Sequence, residues 1–206
     1  MRNFIIQEIQ KTRLVLSQLE SDHALLKTIE MIVNQCVNSI RQGGKILFAG
    51  NGGSAADSQH LAAELVSRLS YDRPGLAALA LTTDTSALTA IGNDYSFEYL
   101  FARQVESIGC KGDVLIGIST SGKSPNILKA FEAARKKQIT TIGLTGKTAP
   151  SMAERCDLVL NVPATETPKI QEGHILVGHI ICALIEEEIF GEQYNPDRKH
   201  VRESVL

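Results

Sequence analysis

The chain reads as a doubly wound α/β sandwich built on a parallel sheet. Three observations predict this. Five short apolar runs recur from Lys45 onward, separated by segments of helical period. The runs are near-continuously apolar, as strands are when helices cover both faces of a parallel sheet. Two of them also lead directly into turns of small and hydroxyl residues, Gly50-Asn51-Gly52-Gly53-Ser54 and Ser119-Thr120-Ser121-Gly122-Lys123-Ser124.

Taken in order, the first element is a helix in which Phe4, Ile5, Ile9, Leu16 and Leu19 recur on one broad face. Ser21-Asp22 marks a second helix start, with Asp22 as the cap, and that helix runs from about His23 to Arg41 before Gly43-Gly44. Strands are expected at Lys45–Ala49, Leu76–Leu81, Asp113–Ser119, Ile139–Leu144 and Asp157–Val162. Helices are expected at Ser54–Ser70, Thr85–Ile91, Phe97–Ile108, Ser124–Lys137, Pro150–Arg155 and Pro168–Phe190. The chain is therefore expected to be one domain over 1–206. Helices fill 1–43, the α/β core 44–190, and a polar tail 191–206, where Val201, Val205 and Leu206 are candidates to dock.

Composition narrows the function. A net charge of −2 offers no broad footprint for nucleic acid. No apolar run approaches the ~20 residues that span a bilayer. Glu8, Lys11, Arg13 and Glu20 interrupt the first segment, so neither a signal peptide nor a membrane partner is expected, and the expected compartment is the cytoplasm. Cys36, Cys110, Cys156 and Cys182 show no C-x-x-C spacing and read as reduced, mostly buried thiols.

The two turns sit at strand carboxyl ends, where open parallel sheets collect ligands. In the second, four hydroxyls crowd the start of a helix, with Ser124 as N-cap and Pro125 at the first helical position. One cap needs one hydroxyl, so the surplus points to a phosphate monoester. Gly117 to Ser124 matches a Walker A pattern formally, but Ile118-Ser119 continues the strand and Pro125 stands where the P-loop helix would already be under way. The dinucleotide pattern at Gly50–Ala55 is only a near match. Its acidic partner, about 20 residues on, would fall near Tyr71-Asp72, in a loop before the next strand.

His60 and Glu64 are four apart on the helix after the first turn and share a face. On the last helix Gln171 and His179 are eight apart, about 80° around the axis. Two helices can thus bring imidazole, carboxylate and amide groups together, a donor set that suits Zn²⁺ among divalent metals. By spacing alone, an i,i+4 His/Glu pair is equally a solvated helix pair. His174 is expected off the inward face, and Glu186-Glu187-Glu188 as a solvated face near the helix end.

Together these segments carry a resemblance. Gly50-Asn51-Gly52-Gly53-Ser54-Ala55-Ala56-Asp57, His60-Leu61-Ala62-Ala63-Glu64-Leu65, Gly92-Asn93-Asp94, Gly112 to Gly122, Leu144-Thr145-Gly146-Lys147 and Ile170-Gln171-Glu172-Gly173-His174 resemble sugar isomerase (SIS) domain proteins, and closely the phosphoheptose isomerase family, over roughly residues 1–190. The resemblance implies a three-layer, five-stranded parallel sheet in flavodoxin-like order and a homotetramer with active sites at subunit interfaces. It implies conversion of sedoheptulose 7-phosphate to D-glycero-D-manno-heptose 7-phosphate through an enediol, for ADP- or GDP-heptose and lipopolysaccharide precursors. Ser119, Ser121 and Ser124 would hold the phosphate. Asn51, Gly52, Gly53, Asn93, Asp94 and Thr120 would line the sugar, with Arg68 reaching its hydroxyls. His60, Glu64, Gln171 and His179 match the family's site for one Zn²⁺ per subunit, Glu64 and Gln171 also facing substrate, and Glu64 and His179 match its acid/base pair.

One departure is Pro168, where some relatives carry an acidic residue; it bears on sugar contacts and not on the reaction class. A related SIS branch is a non-catalytic tetrameric scaffold for the replication initiator, and Leu88-Thr89-Ala90-Ile91 resembles it too. Its members lose parts of the polar set that this chain keeps at His60, Glu64, Gln171 and His179. An isomerase of another sugar phosphate is the third reading, since fold does not settle substrate.

Overall fold

The computed structural model describes residues 1–194. Helices α1 (Arg2–Ser21) and α2 (His23–Arg41) come first, joined at Asp22, whose carboxylate accepts from the Ala24 and Leu25 N–H groups. Then follow β1 (Ile46–Gly50), α3 (Gly53–Val66), β2 (Ala78–Ala80), α4 (Thr85–Asp94), a 3₁₀ turn at Phe97–Tyr99 and α5 (Leu100–Ile108). The second half holds β3 (Val114–Ile118), α6 (Pro125–Lys136), β4 (Thr140–Thr145), α7 (Pro150–Ala153), β5 (Leu158–Asn161) and α8 (Thr167–Tyr194).

The five strands are all parallel, in the order β2-β1-β3-β4-β5. This is the expected flavodoxin-like order, and it reverses direction between β1 and β3. Alternation along each strand feeds two cores. Ile46, Phe48, Val114, Ile116 and Ile118 pack with α1, α2, α3 and α8, while Leu47, Ala49 and Leu115 pack with α5, α6 and α7. At the amino end of the sheet the buried Asp113 carboxylate accepts from the Lys45 and Cys110 backbone N–H groups and from Lys45 Nζ, at 2.7 to 3.0 Å. Three of the four cysteines are buried and all are free, as their spacing suggested.

Gly117 lies inside β3, paired with Ala49 and Gly143, and faces Phe131 and Ile127. A P-loop at this position is thereby ruled out on geometry.

Several boundaries differ from the sequence reading, for identifiable reasons. Helix α3 stops at Val66 and not at Ser70, because the Leu69 and Ser70 N–H groups donate to the Glu186 carboxylate instead of to helix carbonyls. Glu186 is therefore no part of a solvated face: it is fully buried and paired with the equally buried Arg73. Strand β2 has three residues where six were expected, since Leu76 N still donates to Leu65 O at the end of α3. The expected Phe97–Ile108 helix is divided into a 3₁₀ turn and α5. Helix α8 continues through Tyr194, so Gly191 to Tyr194 is helical and not tail. Val201, Val205 and Leu206 lie outside the described residues.

Helices α3 and α8 cross closely at Gly178. A methyl group built there would sit 2.6 Å from Leu61 Cδ1. Gly178→Val is expected to destabilise the protein by about 1–3 kcal/mol through overpacking. Thermal melting at fixed protein concentration should show a drop of roughly 2–12 °C; an unchanged melt would mean the crossing is slack.

Candidate active site

The switch point lies between the carboxyl ends of β1 and β3, and both special turns open there. After β1, Gly52 has φ +58° and ψ −122°, a backbone state that favours glycine, and it caps α3. Gly53 begins that helix with the Gln171 carboxamide packed over it, so a side chain there would displace that amide. Asn51 makes a reciprocal amide pair with Asn126. Each Nδ2 donates to the other's Oδ1, at 2.9 and 2.8 Å. Asn126 is buried in the first turn of α6, so this pair ties the two turns together. Sequence reasoning missed Asn126, because an Asn two residues after a capping Ser looks like ordinary helix-start chemistry.

In the second turn Ser124 takes the N-cap position with extended backbone, and Pro125 follows at the first helical position. Its hydroxyl makes no cap bond; Ser124 Oγ lies 2.8 Å from Ser119 Oγ instead. This corrects the expected side-chain cap and leaves the first turn of a twelve-residue helix facing the loop, the arrangement that receives anions. Ser121 Oγ accepts from Lys123 N at 3.2 Å, and Gly122, at φ +63°, packs against Ala149 and Thr145. Ser119 is buried and Thr120 and Ser124 are half-buried, while Ser121 is exposed.

The titratable cluster lies on α3 and α8. Nε2 of His60 and Nε2 of His179 are 2.8 Å apart, with the rings in an edge arrangement. Glu64 Oε1 is 3.1 Å from His60 Nε2, and one donor atom from each of the three residues falls within 4.8 Å of the others. Two imidazoles and a carboxylate converging from exposed or half-buried positions present lone pairs to a common point, and this donor chemistry fits a divalent cation such as Zn²⁺. Behind them Cys182 is buried one turn past His179. Burial, reinforced by the Glu64 and Glu186 charges, pushes its thiol up to about 12, so it stays a neutral packing group and not a nucleophile.

Other expected residues stand elsewhere. Asn93 and Asp94 end α4 in exposed positions, Asn93 Nδ2 donating to Asp94 Oδ1 at 2.8 Å. Asp94 lines a hollow of about 460 Å³ with Asp84, Ile91, Tyr95 and Arg103. Arg68 is exposed just past the end of α3. His174, expected off the inward face, is in fact buried, at 1% exposure.

The SIS domain model matches residues 9–146, and the chain belongs to that family of sugar isomerase domains. Within it the chain groups with phosphoheptose isomerases. The protein of that name from Burkholderia pseudomallei strain 1710b is 58% identical over 190 residues, covering 92% of this chain and 96% of the relative. One from Aneurinibacillus thermoaerophilus is 54% identical over 194 residues, covering 94% and 98%. Among solved structures, the phosphoheptose isomerase from Neisseria gonorrhoeae superposes with a TM-score of 0.85 at 41% identity, over 90% of this chain and 98% of that one.

His174 yields a pH dependence. Burial pushes its pKa from 6.5 down to about 4, opposed in part by the Thr145 backbone. The unfolded chain binds a proton across that window that the folded chain refuses. The stability tied to a neutral His174 is therefore complete above pH 6.5 and is lost as the pH falls towards 4, by on the order of 3 kcal/mol at most. His174→Leu, which cannot titrate, should flatten the fall in melting temperature between pH 7 and pH 4.5; parallel curves would refute the assignment.

Proposed function

We propose that this chain interconverts sedoheptulose 7-phosphate and D-glycero-D-manno-heptose 7-phosphate through an enediol, feeding heptose precursor synthesis. The observation that carries the reading is the convergence of Glu64, His60 and His179 on helices α3 and α8, in a fold whose switch point carries a hydroxyl-rich helix start. The scaffold reading gains nothing from this convergence.

The phosphate is held by Ser119, Ser121 and Ser124 with the first turn of α6, and the sugar chain extends past Asn51, Gly52, Gly53 and Thr120 towards α3. Asn93, Asp94 and Arg68, which stand elsewhere in one subunit, would reach the sugar of a site shared with a neighbouring subunit. Glu64 removes the proton from C1 of the ketose and returns it to C2. His179 moves the matching proton between the C1 and C2 oxygens, so that the enediol is neutralised without free hydroxide. His60, Glu64 and His179 would hold a Zn²⁺, with Gln171, whose amide lies over Gly53, as the expected fourth ligand, and the ion would supply positive charge for the carbonyl oxygen.

The active assembly in this proposal is a homotetramer. Its support is the apolar side chains that α1 and α8 leave exposed, Phe4, Ile5 and Ile9 on one and Leu176, Ile180 and Leu184 on the other. Four free cysteines fit a reducing compartment, which supports the cytoplasm. No helix among the described residues is long and apolar enough to cross a membrane.

Glu64→Gln should lower kcat by about 10²–10⁴-fold with KM little changed, in an assay that follows product by NMR in D₂O; near-normal turnover would sink the acid–base assignment. Dialysis against a chelator should abolish activity and Zn²⁺ should restore it. Full activity after exhaustive chelation would remove the metal from the proposal.

A further inference from the structure

The end of helix α3 is held by one buried side chain. Arg73 Nη2 donates to the backbone oxygen of Glu64 at 2.9 Å, and Nη1 donates to those of Leu65, Ser67 and Pro74 at 2.7 to 3.1 Å. Its Nε donates to Glu186 Oε1 at 2.8 Å. The Glu186 carboxylate is completed by the Leu69 and Ser70 N–H groups at 3.1 and 2.8 Å. Both charged side chains are buried, at 0% and 1% exposure.

The last carbonyls of any helix lack partners within it and carry its negative pole. Here the guanidinium supplies those partners, and one of them belongs to the peptide of Glu64 itself. The other end of the pair is fixed on α8. Glu186 lies seven residues beyond His179, two turns on and on nearly the same face. The pair therefore connects the backbone carrying the carboxylate to the helix carrying the imidazole. An apolar pair of similar volume would fill the space but leave the Glu64, Leu65, Ser67 and Pro74 carbonyls and the Leu69 and Ser70 N–H groups without these partners. What such a pair would lack is the directed bond to the Glu64 carbonyl.

We propose that Arg73 and Glu186 are positioning residues that hold the Glu64 carboxylate in register with His179. The proposal rests on the assignment of Glu64 and His179 as the acid/base pair.

The test compares Arg73→Gln, Arg73→Lys and the double variant Arg73→Met/Glu186→Leu with the wild type and with Glu64→Gln. All are assayed on sedoheptulose 7-phosphate below their own melting temperatures, with Zn²⁺ affinity measured in parallel by competition with a chromophoric chelator. Arg73→Gln should lose on the order of 10² in kcat, the scale expected for misplacement of about 1 Å, and should bind Zn²⁺ at least tenfold more weakly. Its KM should stay within threefold, because the proposed phosphate contacts lie in the turn between β3 and α6. Arg73→Lys should recover part of kcat, since an ammonium reaches the carboxylate or the carbonyls but lacks the fork to hold both. The Met/Leu pair, which removes the buried charges together, should melt above Arg73→Gln but below the wild type, and should keep the low kcat. Folded Arg73→Gln with kcat and Zn²⁺ affinity within threefold of wild type would overturn the proposal. So would a Met/Leu pair that recovers kcat. If Glu64→Gln itself stays active, the acid–base assignment fails, and the Zn²⁺ affinity of Arg73→Gln alone then decides the positioning role.

Discussion

The site exists because α3 and α8 cross with almost nothing between them. The contact is Gly178 against Leu61, and the residues next to these in sequence are His179 and His60. A bulkier residue at 178 would thrust the helices apart at the one level where their imidazoles meet. The chain thus spends a glycine in the middle of its longest helix, at a cost of about 1 kcal/mol in helix propensity, to bring two nitrogens to 2.8 Å. The rest of the architecture serves that crossing: the sheet supports α3 through Leu61, Ala62 and Leu65, and α2 backs α8 within the same core.

The two halves of the site are delivered differently. In the proposed function the phosphate end would be made of backbone and hydroxyl groups at the start of α6, aimed by the end of β3. The proposed reacting end would be made of side chains on α3 and α8, which pack in the same core on one face of the sheet. Strands ending side by side at a reversal of order bring the two turns to one end of the sheet.

Much of this was legible in the residue order. Strands covered on both faces must be apolar throughout, so β1, β3 and β4 stood out as unbroken runs at nearly their observed bounds. His60 and Glu64 were legible because a helix turns four-residue spacing into contact. His179 was legible through its place in a recognised pattern, since spacing on one helix says nothing about what another brings to it. Arg73, Glu186 and Asn126 were illegible for one reason: their partners lie 113 and 75 positions away. In sequence, Glu186 is one of three consecutive glutamates, and nothing local marks it as the member that turns inward. The shortened α3 was missed with it, because a remote carboxylate claims the N–H groups that would have continued the helix.

The reciprocal amide pair between Asn51 and Asn126 has a mechanical consequence. Each amide gives one donor and one acceptor to the other, so the pair works as a rivet between the turn after β1 and the turn before α6. Neither turn can swing without carrying its neighbour. Closing on a phosphate at one turn would then set the posture of the other, and capture and alignment of the sugar would become one movement instead of two.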